Sequence, residues 1–303
     1  PYAYLLTELI GAVDTAKHSY AELANLVNLH TGGISYDLRA FSRSGEPDSC
    51  LPKFQVKAKA LTRKLPELCQ ILTEILTTSS FADKKRVREL IEQTRATLEL
   101  NLLRASNQIM ASRLISYLSP AGAYNEAGSL EFYWFMKDLS EHFDERYEEM
   151  KTILTALLPL LFNQHGLLIG LTAAGADYAA FAEPGTGLVE SLSDKTYPAA
   201  AYHWDIAAGN EGLVSSSRVQ YVGKGANFLR QGYRFTGTMR VVETLMRYDY
   251  LWTRVRVQGG AYGASALFDR NGTMLFTSYR DPNLAETLAV FDGIAEYLRH
   301  FDA

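Results

Sequence analysis

Apolar side chains near the start of the chain recur at helical spacing. The first ten residues carry an apolar stripe that stops before Gly11, which predicts a short helix. Ser19 and Glu22 have the S-x-x-E spacing of a capping box, so a second helix is expected to begin there. The glycines after Thr31 predict its end.

The pattern then changes from strands to a long helical region. "ISYDLRAFS" and "KFQVKAKAL" predict two strands, and the apolar-polar alternation of the second indicates one buried and one wet face. Residues 64–164 keep helical periodicity, with breaks near Ser79, Ser119 and Phe143. The apolar run "GLLIGLT" at 166–172 predicts a buried strand.

A change in composition separates this first region from the rest. Residues 173–203 are rich in Ala, Gly, Pro and Ser and show no sustained period, so we predict a linker over 176–202. The chain is therefore expected to contain one α+β module over 1–175 and another over 203–303.

The second module repeats the alternation of helix and strand. "SSRVQYVGKG" and "TMLFTSY" predict strands, and Asn271-Gly272 predicts a two-residue hairpin turn with positive φ at both positions. Asn283 and Glu286 predict a capping pair before the last helix. An amphipathic helix is predicted from about 237 to 257, with an apolar face of Val241, Leu245, Tyr248 and Trp252.

The two modules share one local pattern. "LANLVNLHTGGISYDLRAF" and "YLWTRVRVQGGAYGASALF" each read as an amphipathic helix, one polar residue, Gly-Gly and an alternating strand. One such junction is common, but two with matching flanks indicate a duplicated α+β module.

Composition narrows the class of partner. The 303 residues are 47% hydrophobic and 21% charged, with a formal net charge of −4. This balance offers no polycationic face, so nucleic acid and membrane surfaces are excluded as expected partners. Cys50 and Cys69 are too few for a disulfide framework and fit a reducing compartment. No apolar run approaches the length of a membrane span.

Metal-site motifs are absent from the sequence. It contains no H-E-x-x-H, C-x-x-C, Walker or G-x-S-x-G pattern. His142 and Glu145 come close to an H-x-x-E-H motif, but Arg146 stands where the second histidine ligand would be. Because zinc needs two helical ligands on one face and a third from elsewhere, no metal site is expected.

Arg256 and Tyr262 flank the second Gly-Gly and allow two interpretations. Arg256 can simply be a cation near a helix C-terminus, and Tyr262 a half-buried aromatic residue with a wet hydroxyl. Alternatively, the glycines bring a guanidinium and a phenol together, where both can donate to an oxygen that gains negative charge. Local physics leaves both interpretations open.

Longer motifs carry a family resemblance. "NLHTGGIS", "SSRVQYVGKGANF", "YDYLWTRVRVQGGAYGASALFDRNG" and "SYRDPNLAETLAVFDGIAEYLR" resemble the C-terminal half of presequence-protease-type enzymes, a branch of the pitrilysin/insulinase family of zinc metallopeptidases. The resemblance implies a clamshell of four similar α+β domains that closes around an unfolded peptide. It also implies a zinc ion in the first domain, held by an inverted H-x-x-E-H motif and a downstream glutamate.

The same resemblance assigns roles near the second Gly-Gly. In this branch an arginine and a tyrosine six residues apart reach the substrate carbonyl, and the pattern matches Arg256 and Tyr262. Gly259, Gly260 and Ala261 between them are then expected to contact substrate.

Departures from the family pattern suggest a piece of a longer protein. Because no H-x-x-E-H motif is present, the zinc ligands are expected outside this chain, in an N-terminal catalytic half of the same polypeptide. We expect the third domain and most of the fourth, truncated at both ends and inactive alone. The alternative is a separate non-catalytic subunit that grips peptides or a catalytic partner. A bacterial cytoplasmic location is expected, with an organelle matrix as the alternative.

Overall fold

The computed structural model describes residues 1–198, 204, 206, 209–216 and 219–302. The chain divides into two compact units, each built from several segments. The first unit comprises Pro1–Leu38, Phe54–Ala96 and Trp134–Tyr202, and the second comprises Arg39–Lys53, Thr97–Tyr133 and His203–Ala303. Helices and small sheets occur together, so the predicted α+β class is confirmed.

Helices account for most of the regular structure. In chain order they are α1 (Tyr2–Leu9), α2 (Tyr20–His30), α3 (Leu65–Thr78), α4 (Lys84–Arg104), α5 (Ser106–Ser116), α6 (Pro120–Glu126), α7 (Leu130–Glu141), α8 (Phe143–Leu161), α9 (Gly175–Ser191), α10 (Thr238–Leu245), α11 (Ala285–Asp292) and α12 (Ile294–Arg299). Met246–Gln258 forms a π-helix directly after α10. The strands are β1 (Ile34–Phe41), β2 (Leu51–Ala58), β3 (Gly223–Asn227), β4 (Gly263–Phe268) and β5 (Thr273–Tyr279).

The first unit is a helical assembly around α3 and α8. α1 packs against α8, and α2, α8 and α9 pack against α3. The predicted capping box is confirmed, because the Ser19 hydroxyl accepts from the Glu22 N–H and the Glu22 carboxylate accepts from the Ser19 N–H at 2.9 Å. Fully buried side chains of the helices include Leu5, Leu6, Leu9, Leu23, Ile75, Ile91, Met136, Leu139, Met150 and Leu154.

Strand predictions in this region are only partly confirmed. β1 and β2 form a two-stranded sheet as expected. Phe54 is half-buried, with its ring centroid 5.1 Å from that of Phe162, but Ala58 on the same predicted face is exposed. The run "GLLIGLT" forms no strand, and Leu168 is 85% exposed. An apolar run becomes a buried strand only when another strand pairs with it, and none of the described residues does so here.

The segment predicted as a linker contains a helix. Residues up to Ser191 belong to α9, which packs on α3, so the absence of structure expected from the missing periodicity is wrong there. Its many alanines favour a helix even without an apolar stripe. The boundary at 203 between two modules stays a prediction, and residues 199–203 lie outside the described part of the chain.

An ion-pair cluster at the start of α8 gives a prediction for acid stability. Lys84 and Arg88 contact the Asp144 carboxylate at 2.8 and 2.6 Å and lower its pKa to about 2. Because this pKa is depressed in the folded state, the stabilisation is present above the unfolded value of about 4 and is lost as the pH falls toward 2.

Asp144→Asn should therefore lower the thermal midpoint more at pH 6 than at pH 3. Thermal unfolding of the wild type and the variant at the two pH values measures this difference. An equal difference at both values would contradict a pairing that acts through the charged carboxylate.

The second unit packs helices against a three-stranded antiparallel sheet of order β3-β5-β4. The π-helix contacts β4, α10, α11 and α12, while α5 packs on β3 and β5. The predicted strand "SSRVQYVGKG" begins only at Gly223, and positions 217 and 218 in it are outside the described residues. The core includes Val222, Phe228, Met246, Leu251, Val255, Ala266, Phe268, Phe276, Phe291 and Ile294.

The β4–β5 hairpin is confirmed, but its turn differs from the prediction. Gly272 has φ +92°, whereas Asn271 has no positive φ. The turn instead spans four residues, because the Gly272 N–H donates to the Asp269 carbonyl at 3.0 Å and the Asp269 N–H donates to the Thr273 carbonyl at 2.8 Å. Glycine therefore supplies the one left-handed residue that this turn requires.

One arginine joins three carboxylates within the second unit. Arg113 donates to Glu211 through Nε at 2.7 Å and through Nη1 to Glu126 at 3.2 Å. Glu131 accepts from the same Nη1 at 3.0 Å. Burial raises the pKa of Glu126, while the hydrogen bond from Arg113 lowers the pKa of Glu211. The pairing fastens the irregular segment 209–216 to α5.

Candidate functional site

The chain turns between the π-helix and β4 on Gly259 and Gly260. Gly260 has φ +78°, and its N–H donates to the Arg256 carbonyl at 3.0 Å. The next N–H, of Ala261, reaches back to the Val255 carbonyl at 3.1 Å. A Cβ on Gly259 would lie 2.6 Å from the Val255 oxygen, so the close approach requires glycine. The turn fixes the helix end against the start of the strand.

The corresponding junction in the first unit has the same backbone feature. α2 ends at His30, Gly33 has φ +110°, and β1 follows. The second glycine of each predicted pair is therefore the one with positive φ. The repeated helix, Gly-Gly and strand pattern is confirmed as local structure in both units.

Arg256 and Tyr262 lie side by side across the second turn. The Arg256 Cζ lies 5.7 Å from the Tyr262 ring centroid and 4.0 Å from that of Trp252. Tyr262 is 66% exposed and Arg256 is half-buried. No carboxylate among the described residues forms an ion pair with Arg256. The structure thus brings together the two donors that the sequence singled out, and it leaves the charge of the guanidinium available.

Tyr262 is held at the edge of a row of tyrosines. Its N–H donates to the Tyr279 carbonyl at 3.0 Å, and the two ring centroids are 6.0 Å apart. Tyr221 continues the row, at 5.3 Å from the Tyr279 ring. Arg280, just after β5, has φ +49°, a left-handed conformation that is uncommon for a residue with a side chain. The backbone of Tyr262 is thereby anchored to the end of β5.

The sequence "DPN" after β5 supports the glycine turn instead of capping a helix. The Asn283 side chain donates to the Gly259 carbonyl at 2.5 Å, so the predicted capping role for Asn283 is wrong. Buried Asp281 accepts from the Asn283 N–H at 2.9 Å and from the Thr287 hydroxyl at 2.8 Å. Asp281 therefore connects α11 to the turn, a role that sequence spacing alone did not reveal.

The helix before the turn differs from the amphipathic α-helix that the sequence predicts. It continues α10 as a π-helix, in which the Gly259 N–H donates to the Arg254 carbonyl at 3.1 Å. Such i→i+5 bonding is rare and is often found near functional sites. Most of the face predicted to be buried is exposed: Val241, Tyr248 and Trp252 are exposed and Leu245 is half-buried.

The buried side chains of this helix follow a different spacing. Met246 and Leu251, five positions apart, are both fully buried, and Val255 follows four positions later. A spacing of five apolar positions is the signal in the sequence that could have indicated π-type bonding. The change in helical period turns the Trp252 side outward.

The near-match to a zinc motif in the first unit is part of an ion-pair network. His142 Nδ1 lies 3.0 Å from the Asp138 carbonyl oxygen, and Arg146 pairs with the Asp138 carboxylate. Arg146 also donates to the Tyr2 hydroxyl at 3.2 Å. The described residues contain no group of three or more His, Cys, Asp or Glu side chains that could hold a metal ion. These donors therefore do not fit a zinc site.

The helices were also compared with the dimensions of a bilayer. None of those within the described ranges combines the length and the apolar composition needed to cross one.

Two family models match consecutive parts of the chain. The model for the region associated with peptidase M16, subfamily C, matches residues 1–139, and "PreP C-terminal domain" matches residues 210–303. Protein HypA of Clostridium perfringens is 32% identical over 304 residues, covering 100% of this chain and 31% of that protein. Presequence protease 1, chloroplastic/mitochondrial, of Arabidopsis thaliana is 29% identical over 306 residues, covering 100% of this chain and 28% of that protein. The chain thus spans about a third of these relatives.

A solved structure agrees in fold. The periplasmic protease PqqL from Escherichia coli superposes with a TM-score of 0.55 and 14% identity, covering 98% of this chain and 31% of that one. At this identity the match bears on the fold alone. Together with the two family models, it confirms the family that the motifs resemble. The chain belongs to the presequence-protease branch of the M16 peptidases, and it carries the associated region of subfamily C and the C-terminal domain of that branch.

Proposed function

We propose that this chain forms one wall of the substrate chamber of a zinc-dependent peptidase, and that Arg256 and Tyr262 stabilise the transition state of peptide hydrolysis. The observation that carries the proposal is the pairing of an exposed phenol with a guanidinium that no described carboxylate neutralises. The wall is built from the third and fourth domains of the enzyme, with 176–202 connecting them.

The chemistry follows from the charge that develops during hydrolysis. When water adds to the scissile carbonyl carbon, the C=O bond loses its double-bond character and its oxygen becomes negative. Arg256 donates N–H bonds to that oxygen and Tyr262 donates its O–H bond. Both donors stand ready before the charge appears, so they stabilise the transition state more than the bound substrate.

The glycine turn presents backbone to the peptide. Gly259 and Gly260 carry no side chains, and Gly260 is exposed, so an extended peptide can approach the main chain closely at this point. Ala261 adds only a methyl group next to the turn. We assign substrate contact to these three residues.

The zinc ion belongs to another part of the polypeptide. Its ligands are assigned to an N-terminal catalytic half, which is the main partner of this chain, with unfolded peptides as substrates. A bacterial cytoplasmic location is proposed; the relatives include a clostridial protein and an Arabidopsis chloroplastic/mitochondrial one.

Comparison of the 303-residue chain with the polypeptide that includes the N-terminal half tests the proposal. The longer polypeptide should bind zinc and hydrolyse a fluorogenic peptide, whereas the shorter chain should do neither, because its donors do not form a zinc site. Zinc content and initial rates are the measurements. Peptide binding by a naturally separate chain with no upstream H-x-x-E-H segment would instead support the non-catalytic subunit.

A further inference from the structure

Trp252 lies on the exposed face of the π-helix. Its ring is 41% exposed, so the hydrophobic core does not account for its position. The ring instead underlies the Arg256 guanidinium, with the Arg256 Cζ 4.0 Å from its centroid. This is the shortest cation-to-ring distance in the described part of the second unit.

Arg256 has few other contacts that could hold it in place. No described carboxylate pairs with it, and the Tyr262 ring is farther away, at 5.7 Å from Cζ. A long arginine side chain without a fixed partner samples many rotamers, and ordering it opposes catalysis entropically. Stacking on an aromatic ring supplies the missing constraint and leaves the N–H donors at the guanidinium edge free.

An aromatic ring suits this position better than a carboxylate would. An ion pair would occupy the N–H donors and neutralise the charge that the substrate oxygen requires. The indole face attracts the cation through its quadrupole without accepting those hydrogen bonds. The arrangement therefore orients Arg256 and preserves its capacity to stabilise negative charge.

We propose that Trp252 is a positioning residue that holds the Arg256 guanidinium beside the Tyr262 hydroxyl. The inference rests on the proposed function of Arg256. Trp252 acts in the transition state through Arg256 and makes no contact with the reacting atoms.

Substitutions of Trp252 in the zinc-containing polypeptide test this role. Trp252→Leu should lower kcat about tenfold with little change in KM, since cation–π contacts contribute up to about 2 kcal/mol when desolvated. Trp252→Phe should give an intermediate kcat, because phenylalanine keeps a weaker aromatic face. The order of kcat should be Trp, then Phe, then Leu.

A matched control is available on the same helix. Tyr248 is also exposed, and the Arg247 Cζ lies over its ring at 5.4 Å. Tyr248→Leu removes a comparable stack away from Arg256 and should leave kcat unchanged. Thermal unfolding of both leucine variants checks that the fold is retained, and Trp252→Phe supplies the comparison if Trp252→Leu does not fold.

The combination with Arg256→Gln separates the two levels of the argument. In that background Trp252→Leu should have no further effect on kcat, because the group it positions is gone. If Arg256→Gln itself leaves kcat unchanged, the proposed function fails. If Arg256→Gln lowers kcat but Trp252→Leu does not, or if Trp252→Leu lowers kcat equally in both backgrounds, the positioning role is wrong while the proposed function stands.

Discussion

Tyr262→Phe in the zinc-containing polypeptide is expected to lower kcat for a short peptide by about 10²–10³-fold, the usual loss on removing one oxyanion donor. The substitution removes only the hydroxyl. The ring keeps its place near Tyr279, and the N–H of residue 262 can still donate to the Tyr279 carbonyl. KM should change little, because the lost hydrogen bond forms mainly in the transition state. Steady-state kinetics with a fluorogenic peptide give both constants.

Tyr233→Phe provides the matched control. Tyr233 is 65% exposed, close to the 66% of Tyr262, but it lies outside the glycine turn. Its loss of a hydroxyl should leave kcat unaltered. Similar rates for Tyr262→Phe and Tyr233→Phe would remove Tyr262 from the catalytic machinery.

Leu251→Ala should reduce the free energy of unfolding by about 2–5 kcal/mol, the range for truncating a fully buried leucine. Leu251 is 0% exposed and lies in the core with Met246 and Val255, both also on the π-helix. Truncation leaves a cavity beneath the helix that carries Arg256. Urea denaturation followed by tryptophan fluorescence measures the loss.

Leu284→Ala is the corresponding surface substitution. Leu284 is 54% exposed, so the same loss of side-chain atoms should change the free energy of unfolding by less than about 1 kcal/mol. Equal effects of the two substitutions would mean that the π-helix is not packed as described.

Local signals in the sequence predicted the first helices well. The apolar stripe before Gly11 and the capping pair Ser19 and Glu22 correspond to α1 and α2, and the second Gly-Gly marks the start of β4. These features depend on neighbours within a few residues, through caps, turns and side-chain periodicity. Such interactions can be recognised without the rest of the fold.

Predictions that depended on distant partners were less successful. "GLLIGLT" lacks a strand to pair with among the described residues, and the predicted apolar face of the helix after Gly237 is largely exposed because the helix changes to π-type bonding. Asn283 follows the spacing of a cap but donates to Gly259. In each case a residue far along the chain, or a change in helical period, determines the outcome.

The sequence by itself determined the α+β class, the family, and the two residues of interest, Arg256 and Tyr262, on either side of a glycine pair. It could not decide between an ordinary helix end and a donor pair, since both have the same local pattern. The tertiary structure placed the guanidinium between Trp252 and Tyr262 and supported the turn through Asn283. Convergence of side chains depends on how the π-helix, the turn and the end of β5 pack together, and packing is a property of the folded chain.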